Sequence, residues 1–458
     1  AGNPHSGNLA SRAMTAWVSR GRRRVLEYFR ASPDEYEVIF TANATGALKQ
    51  VAESYPFGPG GRYLLTADNH NSVNGIREFA RRRGAHIEYA PILGPDLRLD
   101  ATALADLLAK PADGPKLFAY PAQSNFSGVR HALEWVTEAR QRGWDVLLDA
   151  AAFVPTSRLD LSQWQPDFVT LSFYKMFGYP TGIGALLARR TALDRLQRPW
   201  YAGGTTSLSS VSAANDEGAG FYLTPGSARF EEGTINYLSI PGVELGLDWI
   251  ESIGIDTIHT RTELLTEWLL DQVQQLRHSN GRPVVRVYGP RDMRDRGANV
   301  ALNMLDPTGA LWDCWCIESL ANAQKLSVRS GCHCNPGARE VALGYPRSLL
   351  AACFKNKDHL SFEEFTRATR GCKDGVVRVS LGVASTFKDV YQFVAFARTF
   401  TDRHAPLNQR AVLTPDLRAR VAASRETPAS SATRVRPAHI CRGNKHEAQS
   451  RPPLSRRD

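Results

Sequence analysis

The sequence predicts an α/β protein, a seven-stranded, mainly parallel sheet flanked by helices, with a smaller α+β unit behind it. Two observations carry this reading. Between residues 36 and 190 stand seven short apolar runs: VIFTAN (38–43), YLLTAD (63–68), HIEYAP (86–91), LFAYPAQSN (117–125), DVLLDAAAF (145–153), FVTLSFY (168–174) and GALLARR (184–190). Most are rich in strand-forming residues and lack clean polar–apolar alternation, as strands buried on both faces do. Segments with helical spacing, such as GALKQVAESY, SVNGIREFARRRG and ALEWVTEARQRG, lie between several of them. Strand–helix alternation of this kind builds parallel sheets and sets ligands at the C-terminal ends of the strands.

From about residue 240 the pattern changes. The helical segments GVELGLDWIESIG and TRTELLTEWLLDQVQQLRHS lead into strand-like VVRVYG and NVALNML. Then come the helical LWDCWCIESLANAQ, the turn-rich SVRSGCHCNPG, the strand VVRVSLGVAST and a last helix near DVYQFVAFARTF. A chain of 458 residues exceeds the usual single-domain range. The division expected is a large α/β domain over 1–240, a smaller α+β domain over 241–402 and a tail over 403–458. That tail holds 12 Lys or Arg against 4 Asp or Glu, so most of the formal net charge of +10 sits on it. Rich in Pro, Ser and Arg, the tail buries too little to offset its ordering entropy and reads as disordered. No folded face need be strongly basic, so a specific nucleic-acid partner is not expected. No apolar run is long enough to span a membrane, and the N-terminus lacks the charged and apolar regions of a secretory signal. Seven cysteines fit a reducing compartment better than a disulfide framework, which points to the cytoplasm.

Chemistry concentrates at the predicted strand ends. Lys175 follows the strand LSFY and precedes the Gly- and Pro-rich turn FGYPTGIG, whose small residues allow a ligand to approach closely. A lysine after a strand is ordinarily a solvated surface residue, so its partners decide the reading. Asp149 ends DVLLD one strand earlier; a carboxylate buried there needs a cation, or its pKa rises. Taken alone, Asp149 reads rather as the cap of the next turn.

The runs LSFYKMFGYPTGIGALLARR, FEEGTINYLSIPG and RSGCHCNPGA, in this order across residues 1–402, resemble the class V aminotransferase family of fold-type-I enzymes dependent on pyridoxal phosphate (PLP). Within it they are most similar to the cysteine-desulfurase-like N-terminal domain of molybdenum cofactor sulfurases. The resemblance implies a PLP-dependent transferase in which Lys175 carries the cofactor as a Schiff base and Asp149 pairs with its pyridine nitrogen. It further implies that His70 stacks on the ring and that Asn125 lies near the ring hydroxyl and the substrate. Ala44, Thr45, Ser172 and Tyr174 would hold the phosphate, in keeping with the affinity of a helix start for anions. Gly233 and Thr234 match a segment that reaches the phosphate of the neighbouring subunit, which implies a homodimer. Arg378 matches the arginine that forks onto the substrate carboxylate, with Arg329 assisting.

The resemblance also implies sulfur transfer from L-cysteine to an enzyme thiol, with release of alanine and delivery to a sulfur acceptor that the sequence does not identify. Cys334 aligns with the family's mobile catalytic cysteine, and Cys332 is an added thiol of the sulfurase-like branch. Arg329 and Arg339, close in sequence, would favour the thiolate. Structural loop cysteines are the plain alternative, and one C-x-C with a single His offers too few ligands for zinc. Cys314 and Cys316, beside Trp312 and Trp315, read as packing residues. Ala152 stands where many desulfurases carry a ring-contacting Gln. The family's usual segment before the NPHS run is not present, so the substrate entrance is expected to be incomplete, and a short basic tail stands where full-length sulfurases carry a molybdenum-cofactor-binding domain. A PLP-dependent C–S lyase, aminotransferase or epimerase is the alternative reaction, and a binding scaffold the non-enzymatic one.

Overall fold

The computed structural model describes residues 2, 6–212, 220–355, 365 and 375–406. Most of the basic tail, with Cys372 and Cys441, lies outside them. Each of the seven apolar runs forms a strand: β1 (Tyr36–Thr41), β2 (Arg62–Thr66), β3 (His86–Ala90), β4 (Lys116–Pro121), β5 (Asp145–Asp149), β6 (Phe168–Ser172) and β7 (Gly184–Arg189). Across the sheet they run β1, β7, β6, β5, β4, β2, β3. The four pairings from β6 through β5, β4 and β2 to β3 are parallel, and β7 lies antiparallel between β1 and β6.

The missing alternation has a physical cause. Along β2 and β6 every residue is buried, because helices cover both faces. Leu64, Phe118, Val146, Leu148 and Val169 enter one core, while their neighbours Leu65, Ala119, Leu147 and Phe168 enter the other. Each fully buried Leu, Val or Phe contributes about 2 kcal/mol of transfer free energy, so slipping the register by a residue would cost many such terms.

Local signals set the helices. Asn8 caps α1 (Leu9–Tyr28) by accepting from the Ser11 N–H, and Asn43 caps α2 (Ala44–Ser54) by accepting from Gly46. Proline opens α3 (Pro241–Ile253), and Gly254, at φ 90°, separates it from α4 (Ile255–Gln275). Helix α3 packs along α1, and its Val243 and Leu247 join the core of the large sheet. The packing therefore carries past residue 240.

The second sheet, β8 (Val285–Tyr288), β9 (Asn299–Met304), β10 (Arg329–Gly331) and β11 (Val376–Ser380), is antiparallel throughout, in the order β8, β9, β11, β10. Leu269 of α4, Cys316 and Ile317 of α5 (Cys314–Ala323) and Phe393 of α7 (Phe387–Arg398) pack with Val300, Leu302 and Val377. Cys314 and Cys316 are thus core residues. Helix α6 (Pro336–Leu343) begins just after the C-x-C run. No helix among the described residues is long and apolar enough to cross a membrane.

Candidate active site

The C-terminal ends of β4, β5 and β6 and the first turn of α2 enclose a cavity of about 210 Å³. Its wall includes Ala44, Thr45, His70, Asn125, Asp149, Ser172, Tyr174 and Lys175, eight residues that the sequence singled out. A larger cavity of about 330 Å³ on the other side of α2 contains none of them and is lined instead by Thr234, Thr41, Lys49 and Glu232. Size does not decide between the two; the chemistry sits in the smaller.

Lys175 stands in a four-residue helical turn directly after β6. Its amine has no hydrogen-bond or ion-pair partner among the described residues. The cavity leaves the side chain open to solvent by surface area, yet the protein packed around it strips most of its hydration. That desolvation pushes the amine below the usual lysine value; Asp149 pulls it up, and Arg378 and Arg329 push it down. Asp149 itself is 8% exposed and accepts one bond, from the Ala151 N–H to Oδ1 at 3.0 Å. Its other oxygen has no donor among the described residues. An amine without a partner and a carboxylate with one oxygen unsatisfied therefore share one cavity.

The remaining wall is pre-arranged. His70 Nδ1 accepts from the Ser72 N–H at 3.1 Å, which places the ring proton on Nε2. Burial lowers the imidazole's pKa, Asp149 raises it and the nearby cations lower it further, so the net effect favours the neutral ring. Ser172 Oγ accepts from the Ala44 N–H at 2.8 Å, fixing the start of α2 and leaving the hydroxyl hydrogen to donate. Thr45 Oγ1 meets Ser72 Oγ at 2.8 Å.

Two arginines and the cysteine loop stand beyond the lining of this cavity, with both guanidinium groups near enough to act on Lys175 and His70. Arg329 and Arg378 are directly paired across β10 and β11, two like charges side by side. Burial pushes Arg378 down to about 10, and Arg329 adds to the shift, but the guanidinium still carries its charge at neutral pH. Arg378 Nη1 donates to the Asn125 carbonyl at 2.7 Å, while its buried Nε has no acceptor among the described residues. Cys334 lies within charge range of Arg378. Arg339 is not the cation beside the thiols: its guanidinium lies over the rings of Tyr345 and Phe365, at 5.4 and 5.5 Å. Nearness in sequence misplaced it, because helix α6 carries it away from the loop.

Between the two cysteines, His333 is buried against Phe126, with ring centroids 5.8 Å apart. Neither ring nitrogen has a hydrogen-bond partner among the described residues, although the Val376 backbone lies near enough to oppose the shift. Desolvation, with Arg378 and Arg329, pushes this imidazole down to about 3 from 6.5. The buried ring stays neutral while the released ring takes a proton, so its burial is free of this cost above pH 6.5 and destabilises progressively as pH falls toward 3. Between pH ~7.5 and ~5.5 the wild type should lose about 1 kcal/mol that a His333→Phe variant keeps. Thermal melts at the two pH values check this; equal losses in both proteins would refute it.

The family model for Aminotransferase class-V matches residues 1–393. The chain belongs to the class V aminotransferase family. Among its relatives, molybdenum cofactor sulfurase from Bos taurus is 37% identical over 431 residues, covering 86% of this chain and 46% of the relative. The molybdenum cofactor sulfurase of Arabidopsis thaliana is 35% identical over 434 residues, covering 86% and 52%. The chain thus spans about half the length of these relatives. Among solved structures, an apo cysteine desulfurase from Thermococcus onnurineus NA1 superposes with a TM-score of 0.69 at 24% identity, covering 87% of each chain. The cystine C-S lyase C-DES, in complex with cysteine persulfide, gives a TM-score of 0.64 at 18% identity, covering 86% of this chain and 90% of the other. These two likenesses concern the fold.

Family membership and geometry together show what the motifs missed. Gln123 and Ala152 both line the cavity, so an amide stands in the wall although position 152 itself lacks one. Ser72, which fixes both His70 and Thr45, is two residues from His70 and was legible only as part of ADNHNSV. Gly233 and Thr234, the predicted contacts to a neighbouring subunit's phosphate, do not line the cavity of their own chain, and Thr234 lines the larger one.

Proposed function

We propose that this chain binds pyridoxal phosphate and moves sulfur from L-cysteine to Cys334 as a persulfide, releasing alanine. The observation that carries the reading is the shared cavity, in which the unpartnered Lys175 amine and the half-satisfied Asp149 carboxylate stand together, with Asn125 of the same wall bonded to the cysteine loop. The donor set suits the cofactor: a lysine for its aldehyde, a carboxylate for a protonated pyridine nitrogen, a flat neutral His70 for its ring, and the first turn of α2 with Ser172, Thr45 and Tyr174 for its phosphate. When bound, its ring supplies the electron sink that carbanion chemistry at Cα requires.

The chain's own groups do the rest. Arg378 fixes the substrate carboxylate, with Arg329 beside it. The Lys175 amine, held below its usual pKa, takes the Cα proton. The Cys334 thiolate attacks the substrate sulfur, so an S–S bond forms as the Cβ–S bond breaks and the electron pair returns to the carbon skeleton. Sulfurase and desulfurase are what the relatives and structural neighbours are called, which supports this reaction. The place of Thr234 outside its own chain's cavity supports a homodimer in which that segment serves the partner. The cysteine content supports a cytoplasmic setting, and an acceptor must then take the sulfur.

The test is to incubate the PLP-loaded protein with L-cysteine and to assay alanine, pyruvate and protein-bound persulfide. Alanine with persulfide supports the proposal; pyruvate with free sulfide identifies a C–S lyase instead. In Cys334→Ala the cofactor absorbance should still respond to L-cysteine, while persulfide formation falls by at least about 100-fold. Persulfide at the full rate in that variant would move the role to Cys332 or elsewhere.

A further inference from the structure

The loop bearing the two thiols is held in a conformation its sequence does not favour. The Asn335 N–H bonds the Cys332 carbonyl at 3.0 Å, closing a four-residue turn whose central residues, His333 and Cys334, both have positive φ, 54° and 55°. Gly and Asn favour that turn; two bulkier side chains strain it. Such strain persists only where the surroundings over-determine the backbone. Here three contacts do so. The Asn71 N–H donates to the Cys334 carbonyl at 2.7 Å, and Asn125 Nδ2 donates to the His333 carbonyl at 2.7 Å. The third is the side chain of Asn335, which is fully buried. Its Nδ2 donates to the Asp68 carbonyl at 2.6 Å and to Asn125 Oδ1 at 2.9 Å, and its Oδ1 accepts from the Ala338 N–H at 3.2 Å.

The ordinary account of Asn335 is an N-cap for α6, ahead of Pro336. Capping uses only Oδ1. The two remaining bonds run to the segment just before His70 and to Asn125, the residue whose carbonyl receives Arg378. We propose that Asn335 is the positioning residue for Cys334: it pins the strained turn against the loops that face the cofactor and the substrate. This rests on the reading of Cys334 as the sulfur-accepting thiol. Gly337 supports the same docking from the next turn, since a Cβ there would come within 2.1 Å of the Ala67 carbonyl oxygen.

Asn335→Asp separates the two accounts. It keeps the capping oxygen and suits a helix N-terminus, but it loses both donations and sets a carboxylate against two oxygens. In the PLP-loaded protein carrying Cys332→Ser, alkylation of Cys334 by iodoacetamide, followed by peptide mass without substrate, should rise at least about tenfold in Asn335→Asp as the turn opens. Persulfide formation from L-cysteine should fall by about 30-fold or more, in line with the cost of a misplaced reacting group. Exchange of the Cα hydrogen of L-alanine in D₂O, which needs Lys175 but no thiol, should fall by a clearly smaller factor than persulfide formation, because the change reaches the cavity through Asn125 and leaves Lys175 untouched. Gly337→Ala, which lifts the loop while leaving Asn335 intact, should give the same pattern. Wild-type alkylation and persulfide rates in Asn335→Asp would overturn the proposal, as would Cα exchange that falls in step with persulfide in both variants. Should the parent itself form no persulfide, the sulfur-transfer reading fails, while the alkylation rates still decide whether Asn335 docks the loop.

Discussion

Replacing Lys175 by alanine is expected to abolish covalent attachment of pyridoxal phosphate on borohydride treatment and to lower persulfide formation by about 10³-fold or more. Both effects follow from one side chain having two duties, holding the cofactor and moving the Cα proton. The fold of the variant should survive. Lys175 makes no hydrogen bond or ion pair with the rest of the described protein, so the cofactor-free variant should melt within the ±0.5 kcal/mol typical of an unengaged position. One electrostatic trace should remain: Lys175 is among the cations that lower His70, so His70 should titrate higher in the cofactor-free variant. The separation of these readouts matters, because a merely solvated lysine would leave cofactor attachment unchanged. Borohydride attachment at the same site in Lys175→Ala would remove the centre from the whole reading.

The strands were legible because burial on both faces leaves a plain mark, an apolar run without alternation, and all seven such runs became strands of one sheet. Lys175 and Asp149 were less plain taken singly, since a lysine after a strand is ordinarily solvated and an Asp there ordinarily caps a turn; the motif runs around them singled them out, and the fold sets both in one cavity. What escaped the sequence depends on contacts between distant segments. Asn335 could be recognised as a helix cap from the proline after it, but its donations reach residues 267 and 210 positions away. Arg378 and Arg329 became neighbours only through the register of β10 and β11. The positive φ of His333 and Cys334 had no glycine to announce it. Arg339 shows the reverse error: five residues from Cys334 in the chain, it is bound to aromatic rings on another side.

Asp149→Asn is the substitution that tests the opposite end of the cavity. The amide keeps the size of the side chain and an oxygen for the Ala151 N–H, so only the charge is lost. Without a carboxylate the pyridine nitrogen would have no anion to keep its proton, and the ring would be a poorer sink for the electrons left at Cα. Loss of one such stabilising group costs about 10²- to 10³-fold, and a fall of that size in kcat/KM is expected. The same charge raises Lys175 and His70, so its removal takes away the largest contribution that opposes their desolvation. Both groups should then titrate lower, and an amine that must be neutral to take a proton becomes available at lower pH. The acidic limb of the pH–rate profile should therefore move down in Asp149→Asn while the maximal rate falls. A compensating rise in rate is not expected, because a more readily neutralised amine is also a weaker base. A loss of less than about threefold, with the acidic limb unmoved, would mean that the ring nitrogen finds its partner elsewhere and that Asp149 only caps the turn after β5.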